Sequence, residues 1–498
     1  MSAVYRTSCY GNFLGPSVKL IRHSVYNLLG LGLPLLTAVF SIPVLIRELG
    51  DARFGLLTLI WAIVSYLSLF DLGLGRALTQ HLAVMLEGKD RRRVGALVVT
   101  AIVVIALFSV VAGVLMAVLG PWGLGFISAV PDRAEAINAI WIMALAMPAV
   151  VLTAGFRGIL EARHAFGIIN LIRLPMGLLT FLGPLAVVLY GPPRLDVITL
   201  VLAGGRVVTC GLHAWYAKRH LPDDVGPFKF DKTLIRPLCS SGGWMTVSNI
   251  VSPVMSYADR FIVGAVISSA AVAYYVTPQE LITKLSILPG ALTAVLFPAL
   301  AAQIARQDAA VMPLITKAVG WIFLTLLPIT AAIAIFAKEL LTLWVGEPFA
   351  LQSYVLLQIF SAGMFITCLA QIPFTVIQGA GRSHLTAVFH LIEVPLFLAA
   401  LFLLARHYGL TGAAVAWFLR VAVDAVLMFW GAKLVMNRSM FTSAKLRLLS
   451  VSGLAVLGFV GALVPSPAIR AAWLLAVVAL VLLIAVRGSA RFGHGSRA

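Results

Sequence analysis

Fourteen apolar runs constrain this chain more than any other feature. They fall at roughly 24–46, 56–86, 94–119, 137–156, 168–190, 197–216, 239–265, 271–301, 318–336, 354–378, 385–404, 412–432, 448–465 and 471–486. A bilayer interior offers backbone groups no water, so a spanning segment must satisfy its own hydrogen bonds, and a helix of about 20 apolar residues does so. The chain is 61% hydrophobic and only 11% charged, with a mean hydropathy of +1.01. Those values lie far from globular norms. An all-α integral membrane protein of about fourteen transmembrane helices is the predicted fold class. The first run is too long for a signal-peptide core, and no cleavable leader is expected.

The runs repeat. Leu171–Pro175 reads L-I-R-L-P and Leu391–Pro395 reads L-I-E-V-P, each early in a run and just after a turn containing glycine and arginine. Arg206-Val207 precedes Trp215, Ala217 and Lys218 much as Arg420-Val421 precedes Trp430, Ala432 and Lys433. Spans 1–6 and 7–12 start at a nearly constant offset of about 217 residues. Six is even, so both copies enter the membrane in the same sense, as a parallel repeat. The predicted organisation is an N-terminal tail (1–23), a six-helix lobe (24–216), an inter-lobe linker (217–238), a second six-helix lobe (239–432), a loop with two additional helices (433–486) and a tail (487–498). Two matching lobes imply a path between them, with spans 1, 2, 7 and 8 nearest to it.

Basic residues set the orientation. With both termini inside, cytoplasmic segments carry 25 of the 37 Lys and Arg, while the outer segments hold only Arg47, Arg53, Arg133, Arg194, Lys338, Arg406 and Arg470. Such a bias places both ends in the cytoplasm. The net charge of +18 is explained by this insertion rule and an anionic inner leaflet, so no nucleic-acid partner is expected. Clusters such as Lys89 and Arg91–Arg93 read as orientation anchors. The cysteines (Cys9, Cys210, Cys239 and Cys368) avoid long outer loops, which argues against a disulfide framework. Metal-ligand spacing, phosphate-binding glycine loops and nucleophile elbows are missing from the sequence, so neither metal nor cofactor is expected.

Several motifs carry a resemblance. Arg47–Gly55 reads R-E-L-G-D-A-R-F-G, and Asp71–Ala77 reads D-L-G-L-G-R-A. Ala258–Gly264 reads A-D-R-F-I-V-G and is followed by Ala273-Tyr274-Tyr275 and Pro298-Ala299-Leu300. In order and spacing the chain resembles bacterial Wzx-type polysaccharide flippases of the multidrug/oligosaccharidyl-lipid/polysaccharide exporter superfamily over nearly its whole length. The resemblance implies a transporter, not an enzyme. It would move undecaprenyl-pyrophosphate-linked oligosaccharide from the cytoplasmic to the periplasmic leaflet of the inner membrane, with a polysaccharide polymerase and export machinery as partners. A drug or cation antiporter of the same superfamily is one alternative, but it would be expected to carry an acid in span 1, and Ser24–Ile46 holds none. A membrane-embedded polymerase or ligase is the other. It would need a large outer loop, whereas the longest here, about Gly120–Ala136 and Ala337–Ser353, are short.

Any mechanism must use the charges inside the spans, because an ionised group at membrane depth is costly and normally faces protein or a hydrated cavity. A pyrophosphate-linked substrate calls for cations. Lys284 is the first candidate phosphate ligand, since it falls nearest mid-span, with Arg76 and Arg260 extending a ladder toward the two membrane faces and Arg206 as a further candidate. Asp71, Asp259, Glu280, Glu393 and Asp424 are candidate ion-coupling acids or charge-pair members. Glu280–Lys284 and Arg420–Asp424 are spaced i,i+4 and can neutralise each other on one helix face. Asp71 and Arg76, five apart, cannot. Arg173 and Glu393 are repeat-equivalent with opposite signs; they either meet or sit apart beside Pro175 and Pro395. Gly73, Gly75, Pro289 and Gly290 are predicted helix bends at matching places in spans 2 and 8.

Overall fold

A computed structural model describes residues 16–67, 71, 73–87, 91–222, 224–238, 255, 257–306, 311–436 and 445–493. The start of the N-terminal tail, most of the seventh predicted span before residue 255, and the last five residues lie outside the described residues. Every regular element among the described residues is a helix. Ten stretches are long and apolar enough to cross a membrane. One of them, α14 (Ser383–Met436), is two helices joined at Gly409, whose φ of +61° lies in the left-handed region that glycine tolerates. The second predicted span forms as two shorter helices, α2 (Asp51–Leu67) and α3 (Leu74–Glu87). The thirteenth forms as α15 (Lys445–Val460), whose 16 residues are short for a crossing.

The chain divides into two compact units. The first comprises residues up to Leu49, Leu67–Pro121 and Ala134–Thr246. It holds α1 (Pro16–Leu49), α3, most of α4 (Val94–Leu124) and α5 (Arg133–Ala162), with α6 (Phe166–Tyr190) and α7 (Leu195–His220). Small residues let these helices approach closely. A Cβ at Gly177 of α6 would stand 2.8 Å from the Pro34 ring of α1, and one at Gly158 of α5 would stand 2.6 Å from the Gly75 carbonyl of α3. Thr79 Oγ1 donates to the Gly158 carbonyl at 3.1 Å across the same seam. The orphan amide at the start of α7 is taken by an acid from α5: Leu195 N–H donates to Glu135 Oε1 at 2.5 Å.

The polar inter-lobe segment packs onto this unit. Gly95 N–H donates to the Val225 carbonyl at 2.9 Å, Arg91 pairs with Asp224 at 3.2 Å, and Arg93 pairs with Asp231 at 2.7 Å. Asp231 also caps a short 3-10 turn, Lys232–Leu234, by accepting from Thr233 N–H at 2.9 Å. Gly226 is required here twice over: its φ is +74°, and a side chain would collide with the Arg92 carbonyl. Two of the arginines read as orientation anchors therefore also clamp the linker.

The second unit comprises Gly50–Tyr66, Trp122–Arg133 and Val247–Ala498. It holds α2, α8 (257–266), α9 (Ser269–Thr283), α10 (Ile287–Ala305), α11 (Val311–Ile335), α12 (Ala337–Trp344), α13 (Glu347–Gly379), α14, α15 and α16 (Pro467–Gly493). The compact units and the sequence repeat divide the chain differently at α2. That helix packs on α9, where Gly55 lies against the Ser269 carbonyl and Tyr274 OH donates to Asp51 at 2.5 Å. Helix α13 is central, packed against α9 to α12 and α14. Its Phe360 ring joins Tyr275 of α9 (5.1 Å) to Trp417 of α14 (5.2 Å), both edge-on. Arg470 of α16 donates to the Ile335 carbonyl at 2.9 Å and to Glu339 at 2.5 Å, which fixes the last helix to α11 and α12. Large apolar side chains such as Leu107, Leu145 and Leu396 face outward, as lipid contact requires.

Candidate functional site

In the first unit, the glycine break predicted in span 2 forms between α2 and α3, and Gly73 has a φ of +75°. Asp71 is buried there and accepts from Gly73 N–H at 3.2 Å and Gly75 N–H at 3.1 Å. It therefore caps the orphan amides at the start of α3. A Cβ at Gly75 would stand 2.8 Å from that carboxylate. Arg76 points to the exterior, Arg206 is half-buried on α7, and Arg173 is exposed on α6.

The second unit gathers the charges more tightly. Glu280 of α9 takes two cations: Arg260 of α8 at 2.5 Å and Lys284 at 2.7 Å. The i,i+4 pair forms as the spacing predicts, but Arg260 joins it. Arg260 and Lys284 thus share one carboxylate. Their environments differ. The Arg260 side chain is 8% exposed and lies 4.9 Å over the Tyr257 ring, whereas that of Lys284 is 44% exposed. Lys284 also begins a 3-10 turn, Lys284–Ser286, between α9 and α10. Pro289, which has no N–H to offer the Leu285 carbonyl, follows this turn in the first turn of α10.

Asp259, wholly buried beside Arg260, is fully engaged. It accepts from Gln279 Nε2 at 2.7 Å, Tyr275 OH at 3.1 Å and Arg260 N–H at 2.9 Å. Tyr275 and Gln279 escaped sequence reasoning. The available signal was their i,i+4 spacing on α9, which aims both at one point.

A third group lies on α14. Glu393 is buried, and neither of its carboxylate oxygens has a hydrogen-bond partner. Asp424 pairs with His390 Nε2 at 3.3 Å, where the spacing suggested Arg420. Arg420 instead lies 5.4 Å over the Phe397 ring, with its Nε unpartnered. His390, Glu393 and Asp424 bring one ligand atom each within 4.8 Å of one another. His390 was also missed, although it shares a helix face with Glu393 three residues on.

Residues 20–304, more than half of the chain, match the family described as polysaccharide biosynthesis protein. A Shigella flexneri protein named "Putative O-antigen transporter" is 32% identical over 415 residues, 83% of this chain and 97% of that relative. Among solved structures, an inward-facing multidrug transporter of the MATE family superposes with a TM-score of 0.71 at 14% identity, over 84% of this chain and 99% of its own. The lipid II flippase MurJ in an inward closed conformation superposes with a TM-score of 0.68 at 13% identity, over 94% of this chain and 99% of its own. At such identities these two show a shared fold. The long match and the curated relative agree: the chain belongs to the polysaccharide biosynthesis protein family, and its fold is shared with these two solved transporters.

Proposed function

We propose that this protein is a flippase that carries undecaprenyl-pyrophosphate-linked oligosaccharide from the cytoplasmic to the periplasmic leaflet of the inner membrane, by alternating access, for export of a surface polysaccharide. One observation carries the reading: the Shigella flexneri protein named for O-antigen transport aligns over 83% of this chain at 32% identity. The lipid II flippase fold supports it, because such a fold can house a lipid carrying a polar head. Both termini lie in the cytoplasm, fourteen helices cross the bilayer as two six-helix repeats (24–216 and 239–432) plus two, and a polysaccharide polymerase receives the product. Reporter fusions at Trp122 and Arg497 test the topology: Trp122 should report outside and Arg497 inside.

The substrate pyrophosphate is gripped by cations, with Lys284 of the second unit the primary ligand. Of the two cations on Glu280, Lys284 has the more exposed side chain and so can reach a substrate. Arg260 also stays with Glu280 when Lys284 is changed, so Lys284→Gln leaves no orphaned acid. An inside-negative potential helps outward movement of an anion by about 2.3 kcal/mol per charge per 100 mV of full traversal.

The test is flipping of a fluorescent polyprenyl-pyrophosphate oligosaccharide in proteoliposomes of purified protein. Wild type should flip it, Lys284→Arg should retain much of the activity, and Lys284→Gln should lose most of it at equal reconstituted amount. Flipping by Lys284→Gln at the wild-type rate removes Lys284 from the site. Failure of wild type to flip any such lipid, in a preparation shown to be folded, overturns the function itself.

A further inference from the structure

Two aromatic rings lie open in the polar segment that follows α7. Phe228 and Phe230 are 59% and 43% exposed, while Val225, Leu234 and Leu238 of the same segment are buried. The segment therefore spends its aliphatic residues on packing and leaves its rings outside. Its charges divide in the same way. Asp224 and Asp231 are taken by Arg91 and Arg93 of the first unit. Lys229, Lys232 and Arg236 are exposed and make no ion pair among the described residues. The outward side thus carries rings and uncompensated positive charge.

The level of this surface in the membrane follows from α4. Its 31 residues make a helix about 46 Å long at 1.5 Å per residue, against a hydrocarbon core of about 30 Å. Centred in that core, α4 overhangs it by about 8 Å at each end. Thr100 lies about 9 Å from the start of α4, close to the hydrocarbon edge. The segment is tied to α4 at that residue: Asp231 N–H donates to Thr100 Oγ1 at 2.9 Å. Phe230 is the adjacent residue, so the exposed rings lie where acyl chains meet headgroups. Helix α7, which leads into the segment, ends on a similar pairing, with Arg219 4.1 Å over the half-exposed Trp215 ring. Aromatic rings and basic residues both favour that boundary, the rings for its apolar side and the cations for its phosphates.

We propose that Phe228, Lys229, Phe230, Lys232 and Arg236 form a binding surface for anionic phospholipid. The two rings enter among the upper acyl chains, and the three cations meet headgroup phosphates. The segment is then held on both sides, by Arg91 and Arg93 toward the protein and by lipid phosphate toward the bilayer. This surface is separate from the transported lipid, and its test requires no flipping.

The test is amide hydrogen exchange of the full-length protein in nanodiscs of phosphatidylcholine, alone and with increasing phosphatidylglycerol. Exchange across 228–232 should slow in wild type as phosphatidylglycerol is added. An anionic surface contributes about fivefold in affinity per Lys or Arg, so Lys232→Gln should need about five times as much phosphatidylglycerol for the same protection. Lys229→Gln/Lys232→Gln/Arg236→Gln should show no dependence on phosphatidylglycerol, with unchanged exchange across 94–124 as the control for folding. Phe228→Ser/Phe230→Ser should exchange faster across 228–232 in both bilayers. Wild-type exchange that ignores phosphatidylglycerol overturns the proposal, as does a triple variant that responds like wild type. Exchange in the double phenylalanine variant equal to wild type takes the rings out of the bilayer, and overturns it too.

Discussion

Asp259 and Glu393 are both buried acids of the second unit, and they are opposites. Asp259 is met by Gln279, Tyr275 and the Arg260 amide, so its burial is matched by hydrogen bonds. Glu393 has none. A buried polar group without partners is costly, and a protein keeps one where it serves something other than stability. Burial with partners therefore marks architecture here, whereas Glu393 is a buried acid whose carboxylate has no hydrogen-bond partner.

The sharpest way to break that contrast is to remove each acid in turn. Asp259→Ala strands the Tyr275 hydroxyl and the Gln279 amide and should destabilise the protein by about 3–5 kcal/mol. Glu393→Gln, which keeps the shape and removes only the capacity for charge, should change stability by no more than about 1 kcal/mol in either direction. Thermal unfolding in detergent, followed by loss of the monodisperse peak, measures both. Equal losses would show that the partners of Asp259 contribute nothing beyond burial.

Glu280 sharpens the comparison because its two cations differ in exposure. Glu280→Gln leaves Arg260, with a side chain 8% exposed, without its ion pair and should cost about 2–3 kcal/mol. Lys284→Gln removes a partner whose side chain is 44% exposed and should cost less than about 1 kcal/mol. The same unfolding assay reads the difference. A larger effect from Lys284→Gln would assign the structural role to the lysine and weaken its claim as a substrate ligand.

Much of the fold was legible in the sequence because the bilayer simplifies the code. The apolar runs delimit α4 to α7 closely, and the Gly73 break was visible as glycines set in an apolar stretch. The runs at 385–404 and 412–432 fall in the two helices that meet at Gly409, but nothing local announces that α2 packs in the second unit. In the candidate site, periodicity reached only pairs on one helix. It found Glu280–Lys284 but not Arg260, which arrives from α8, twenty residues upstream of Glu280. It proposed Arg420 for Asp424, whereas the hairpin brings His390. Asp71 looked like an intramembrane charge, and only its rotamer shows it to be a cap. Interactions between elements depend on docking, which spacing within one element does not encode.

Asp231 extends the comparison to an acid that has partners without being buried, and it carries the smallest expected effect. Hydrogen bonds from Thr233, then the Arg93 guanidinium, pull its carboxyl from the ordinary range down to about 2. The depressed value fixes the sign. The clamp contributes fully above the unfolded carboxylate value of about 3.9 and is lost as pH falls through about 2. Amide exchange at Thr233, whose N–H donates to Asp231, should therefore be protected equally at pH 7 and pH 5 and lose protection between about pH 4 and pH 2. In Asp231→Asn protection should be weaker, and the ratio of exchange rates between variant and wild type should fall toward one across that acid window. A ratio constant from pH 7 to pH 2 would mean that the packing of Gly226 against Arg92 and the Gly95–Val225 hydrogen bond hold the linker without help from its charges.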